Sequence, residues 1–161
     1  MGRLRKKIIG KRVFGSKVEE TDPCYSKDVW CKMDDVEIVP GEYTCVVWMH
    51  KDSYEYNGKS YDDTRVGNIG IYLGGVIPTQ KSMVEIGTIG VDAGVAGFFE
   101  NKPDYTEEEW DKLCSKIRKG CAWIFAEGFF SESGFGDGGY PVYAFKSPDS
   151  GKITSLEIRF I

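Results

Sequence analysis

A chain of 161 residues, 41% hydrophobic and 14% aromatic, is long enough to bury one ordinary core and too apolar to stay disordered. Its formal net charge of −4 argues against broad nucleic-acid binding, which needs many cationic phosphate contacts, and no run approaches the roughly 20 apolar residues of a membrane span. The aromatic load and 20 glycines favour a sheet-rich fold over a helical bundle.

The charge is uneven along the chain. Residues 1–12, MGRLRKKIIGKR, hold six of the 21 basic residues and form a basic arm or a first strand, leaving 15 basic against 25 acidic residues in the body, 13–161, read as a single β-rich domain. Such an arm can meet an acidic partner or fold back on its own domain. No apolar h-region follows the basic residues, and Lys6 stands where a myristoylation motif wants Ser or Thr, so a cytoplasmic protein is expected. Five cysteines, an odd number without a Cys-x-x-Cys pair, suggest buried free thiols rather than a disulfide framework.

Residues 11–20 alternate and suggest a first strand pair. Pro23 then fixes its own φ and biases Asp22 toward extended backbone, breaking the pattern at TDPCYSKDVWCK. EYTCVVWMH, 42–50, reads as a strand ending at His50, and Asn57-Gly58 is the favoured two-residue hairpin turn. Residues 64–75 and 83–99 read as further strands. They share an echo in which Gly67, Ile69, Gly70 and Gly74 match Gly87, Ile89, Gly90 and Gly94; glycines inside strands suggest bulges or close backbone approach.

One helix is expected at about 106–119. Thr106 and Glu109 form a capping box, Tyr105 and Trp110 a hydrophobic staple, and Trp110, Leu113, Cys114 and Ile117 an apolar stripe. Glu107 to Glu109 suit the positive end of the helix dipole and Lys116, Arg118 and Lys119 the negative end; Gly120 is a natural stop. Residues 121–130 fit a strand or a short continuation of the helix, and the strand is the preferred reading. The last strands close as a hairpin, with Tyr140 and Tyr143 on opposite faces and Leu156, Ile158 and Phe160 turned away from Glu157 and Arg159.

Few side chains suit catalysis. His50 is the single imidazole, and Cys24 with His50 lacks any local signature of a thiol dyad. Asp22, Asp92 and Asp137 sit beside turns; converging, they would hold a divalent cation or do acid–base work, and apart, each would cap its own turn. The stretch SGFGDGGYPVYAF, 133–145, lacks the Lys-Ser/Thr of a phosphate loop, and Asp137 would repel an anion. Phe135, Tyr140 and Tyr143, with Tyr25 and Trp30, can stack a ring or simply pack.

Three stretches, DPCYSKDVWC at 22–31, IGVDAGVAGFF at 89–99 and SGFGDGGYPVYAF, together resemble a set of bacterial and phage proteins sharing a domain of unknown function. The resemblance spans about residues 20–161. Ala93 stands where that set commonly has Ser, which weakens any hydroxyl nucleophile there. It implies a compact β-rich domain of a phage or mobile-element accessory protein and supplies no reaction.

The expected fold is therefore α+β and mainly β, a curved antiparallel sheet or partial sandwich with one packed helix. The expected function is non-enzymatic binding of a small molecule, such as a nucleotide signal, or of a host protein, with Asp22, Cys24, Tyr25, Trp30, Asp92, Asp137 and Tyr140 as candidate ligand-binding residues. No cofactor and no membrane partner are expected. The alternatives are a metal-dependent hydrolase using Asp22, Asp92 and Asp137, and a structural protein acting as an oligomer.

Overall fold

A computed structural model describes residues 3–24, 32–100, 105–117, 121–125 and 128–161. The chain is mainly β with one helix. Six strands, β1 (Arg3–Phe14), β4 (Gly41–Tyr56), β5 (Lys59–Leu73), β6 (Val84–Val91), β10 (Gly138–Lys146) and β11 (Ile153–Arg159), form one sheet in the order β1-β4-β5-β11-β10-β6. Five more, β2 (Lys17–Thr21), β3 (Met33–Glu37), β7 (Val95–Phe99), β8 (Ala122–Phe125) and β9 (Gly128–Glu132), form the second, β3-β2-β7-β9-β8. Among the described residues, the strands of both sheets pair antiparallel.

The sheets meet face to face. Tyr43, Cys45, Val47, Ile69, Ile71, Val142 and Leu156 of the first sheet pack against Val18, Ala96, Phe98 and Phe129 of the second in one buried cluster. Alternation along each strand produces this, because successive side chains point to opposite faces. Burial also pushes the Cys45 thiol and the Tyr43 phenol up to about 12.

The helix α1 (Glu107–Ile117) covers the other face of the second sheet, where Leu113 joins Val95, Phe99, Trp123 and Phe130. Its capping box is formed: the Glu109 amide donates to Thr106 Oγ1 at 3.3 Å, and the Thr106 amide returns to Glu109 Oε1 at 3.4 Å. Tyr105 and Trp110 meet with ring centroids 6.2 Å apart, as a staple requires. Residues 118–120, where the expected helix ends, lie outside the described residues.

The expected strand pair within 11–20 is not made. β1 pairs with β4 and β2 with β3 and β7, because the chain changes sheets at Gly15-Ser16. Glu100 holds that corner, accepting from the Gly15 amide and from Arg12 Nη1. Residues 3–12 of the basic arm thus lie in the edge strand β1, and cationic side chains on an edge discourage pairing with another chain. Residues 121–130 hold not one strand but β8 whole and the start of β9, with Phe125 opposite Gly128 and Ala122 opposite Ser131.

The strand through His50 does not end there either. It runs on to Tyr56, and β4 and β5 project as an exposed ribbon tipped by Asn57 (φ 51°) and Gly58 (φ 74°), the left-handed pair of a tight hairpin turn. Tyr54 and Tyr61 face each other across this ribbon and stack at 5.5 Å.

Candidate functional site: a motif junction and an adjoining groove

The described parts of the three sequence motifs converge, held by the Asp22 carboxylate and by backbone pairing. Asp22 is fully buried at the end of β2. Its Oδ1 accepts from the Cys24 amide at 2.8 Å, the turn expected of Asp before Pro-Cys. Its Oδ2 accepts from the Asp92 and Ala93 amides at 3.0 and 2.7 Å, clasping the turn between β6 and β7. That turn passes through Gly94 at φ 72°, whose carbonyl accepts from the Ser133 amide at 3.0 Å, and Val91 stands opposite Gly138. Asp22–Cys24, the turn between β6 and β7 and the start of β10 thus form one junction.

Within the junction the predicted residues divide. Both Asp22 carboxylate oxygens are committed to amides. Asp92 contributes its amide to Asp22, while its side chain and that of Asp137 are exposed. Cys24 is half-buried and packs against the helix-side cluster. Among the described residues no group of three or more His, Cys, Asp and Glu side chains is placed to hold a metal ion. Tyr25 and Trp30 lie outside the described residues.

Tyr140 leads to something more. Its hydroxyl donates to the Gly136 carbonyl at 2.7 Å, and its ring meets Phe160 edge-on at 5.0 Å. Burial, reinforced by Asp137, holds its phenol above the ordinary value. The next residue, Pro141, has no N–H to give a ladder. The β10–β11 pairing stops at Val142↔Ile158, while β10 stays paired with β6 through Pro141↔Thr88. Beyond that stop, Gly139, Tyr140 and Pro141 face Arg159, Phe160 and Ile161 across a groove of about 460 Å³.

The groove opens beside a polar network on the outer face of the first sheet. Register sets Asn68 opposite both Trp48 and Arg159, and Gly70 opposite Glu157. With no side chain at Gly70, Tyr72 folds back over it: a Cβ there would sit 2.6 Å from Tyr72 Cζ. So placed, the Tyr72 hydroxyl donates to Glu157 Oε2 at 2.6 Å and accepts from Trp48 Nε1 at 2.9 Å. Burial and the Glu157 carboxylate hold the Tyr72 phenol far above its ordinary value. Arg159 Nε donates to Glu157 Oε1 at 3.1 Å, and its guanidinium lies 3.7 Å over the Tyr143 ring.

Not every polar atom of this face is satisfied. Asn68 is 3% exposed and lines the groove, yet its buried Oδ1 has no hydrogen-bond partner among the described residues. Neither has the buried Nη2 of Arg159, its cross-strand neighbour on the same groove. Such groups normally find partners, because burying them unpaired costs about 1–3 kcal/mol each. Gln80, from the connection between β5 and β6, forms a further wall.

Among the described residues, Tyr140 of the candidate set lines this groove, as does Tyr143, singled out for its ring; Asn68, Gln80 and Arg159 were missed. Pro141 within a strand was the available signal, since proline is confined to edges and ladder ends. No protein-family model, no curated protein and no solved structure matches the chain.

Proposed function

We propose that this chain is a small-molecule-binding protein whose ligand lies in the groove between Gly139–Pro141 and Arg159–Ile161. One observation supports the reading: two residues that line the same groove, Arg159 and Asn68, each hold a buried polar atom, Nη2 and Oδ1, without a hydrogen-bond partner among the described residues. Apolar walls with a few convergent polar groups are the ordinary make-up of a ligand site, and 460 Å³ lies within the usual range of about 300–1,000 Å³. The rigid Trp48–Tyr72–Glu157–Arg159 network supplies preorganisation, which lowers the entropy lost on binding. On this reading the chain acts by sequestration, one form that the work of an accessory protein can take. The hydrolytic alternative asks for open carboxylates, and Asp22 already holds three amides.

A thermal-shift and calorimetric screen against nucleosides, cyclic nucleotides and common metabolites tests the proposal. Gly139→Leu serves as the blocking variant, because a Cβ at Gly139 meets nothing closer than Thr88 Cγ2 at 3.7 Å. At least one compound should stabilise the native chain and not the blocked one. No binder, or equal stabilisation of both, would remove the groove as the site.

A further inference from the structure

The free edge of the first sheet changes charge along its length. β1 begins where the projecting part of the β4–β5 ribbon starts, since Arg3 stands opposite Lys51. On β1, Arg5, Lys6 and Lys7 are exposed, and among the described residues none of them forms an ion pair. Just past Lys51, Asp52, Glu55 and Asp62 of the ribbon are exposed and likewise form none, while Asp63 is balanced by Arg65 at 2.7 Å. We infer that this edge is an interface between two copies of the chain, with the acidic ribbon of each copy lying along the basic β1 of the other. The inference does not depend on the ligand groove.

The order of the charges selects the occupant. A second copy placed so that β1 met β1 would be repelled, as cationic edges are in general. Turned end to end about a two-fold axis normal to the sheet, it brings its ribbon beside β1 and its own β1 beside the ribbon. Exposed Arg5, Lys6 and Lys7 then meet exposed Asp52, Glu55 and Asp62, and the symmetry makes the contact twice. A nucleic acid or an anionic lipid surface would instead be repelled by the ribbon.

The faces agree with the charges. Side chains alternate along β4, so Asp52, Tyr54 and Tyr56 lie on the face of Val46 and Trp48. Register puts Lys6 opposite Trp48 and Ile8 opposite Val46, on that same face. A two-fold axis normal to the sheet keeps each face on its own side. Tyr54 and Tyr56 of one copy therefore come to the side of Lys6 and Ile8 of the other, and Glu55 to the side of Arg5 and Lys7.

This arrangement also covers apolar surface that the chain leaves bare. Ile8 is 57% exposed, Tyr54 55% and Tyr56 64%. Ile8 against a phenol ring and the Lys6 ammonium over another add packing and cation–π attraction. Such contacts matter because exposed ion pairs alone contribute only about 0–1 kcal/mol each. The Tyr54–Tyr61 stack at 5.5 Å keeps the two-stranded ribbon, a form marginal by itself in water, in shape to be received.

The test is sedimentation equilibrium of the unmodified chain. At about 0.05 M salt the mass should rise with concentration from one chain to two and stop there, and at about 0.5 M, where surface charges are screened, dissociation should be at least about tenfold easier. A chain that stays single at low salt up to about millimolar concentration, or a pair indifferent to salt, would overturn the inference. Charge exchange locates the contact. Lys6→Glu with Lys7→Glu makes both parts of the edge acidic, and Asp52→Lys with Glu55→Lys makes both basic. Each double variant should remain single, and an equimolar mixture should restore the mass of two chains, which a misfolded variant would not do. A pair that persists in either variant alone, or two cooperatively melting variants that do not pair when mixed, would overturn the inference. Tyr56→Ser, at the exposed tip, should weaken the native pair at least about tenfold, and an unchanged constant would remove the tyrosine face from the contact and with it the proposed arrangement.

Discussion

Replacing Asp22 by alanine removes the clasp that joins the first motif to the turn between β6 and β7. The carboxylate holds three amides, Cys24 at 2.8 Å, Asp92 at 3.0 Å and Ala93 at 2.7 Å, in a fully buried position. Hydrogen bonds to a charged group are worth about 1.5–3 kcal/mol each, and bonds sharing one acceptor group are not additive. With the turn free to relax, Asp22→Ala should lose about 3–5 kcal/mol, a large part of the 5–15 kcal/mol typical of a domain. Asp22→Asn keeps one oxygen, which can serve Asp92 and Ala93 while its NH2 opposes the Cys24 amide; its loss should be about 1–3 kcal/mol. Urea unfolding measures both losses, and hydrogen exchange at Cys24, Asp92 and Ala93 locates them. A loss below about 1 kcal/mol for Asp22→Ala, with protection of the Asp92 and Ala93 amides unchanged, would refute the clasp.

Two further outcomes follow from buried side chains. Glu20 is fully buried opposite Phe98 and Met33, and neither carboxylate oxygen has a hydrogen-bond partner among the described residues. Desolvation holds its carboxyl well above the usual 4.5, so the folded chain binds a proton that the unfolded chain releases, and stability falls as pH rises above that value. Glu20→Met should stabilise by about 1–3 kcal/mol at pH 8 and by less at pH 4, measured by urea unfolding at each pH; a loss of stability at pH 8 would contradict this. Leu113 is the buried residue of α1, and Leu113→Ala should cost about 2–5 kcal/mol and shift Trp123 emission to the red, because the two share one cluster. Unchanged emission and stability would show that the helix is not held through Leu113.

Local signals in the sequence were read well where the physics is local. Thr106 and Glu109 are three residues apart, Asn57 and Gly58 are adjacent, and the alternation of Leu156, Ile158 and Phe160 placed β11 with the right face on the core. Glycine in strands did mark close approach, at Gly70 under Tyr72 and at Gly87 against Met33. The sheet change at Gly15 was not legible, because its holder, Glu100, is 85 residues away. The same holds for Asp22, whose partners Asp92 and Ala93 lie 70 and 71 residues on. Alternation also assigns Glu157 and Arg159 to solvent. It cannot show that Trp48 and Tyr72 from two other strands bury Glu157, leaving Arg159 over Tyr143 beside a groove.

The most direct test of the ligand groove is side-chain NMR of the isotope-labelled chain, following the Asn68 amide and the Arg159 guanidinium during titration with the strongest binder from the screen. The Asn68 and Arg159 signals should shift together and saturate at one ligand per chain, with Gln80 moving alongside them. Saturable binding that leaves Asn68 and Arg159 unmoved and shifts residues elsewhere would contradict the account.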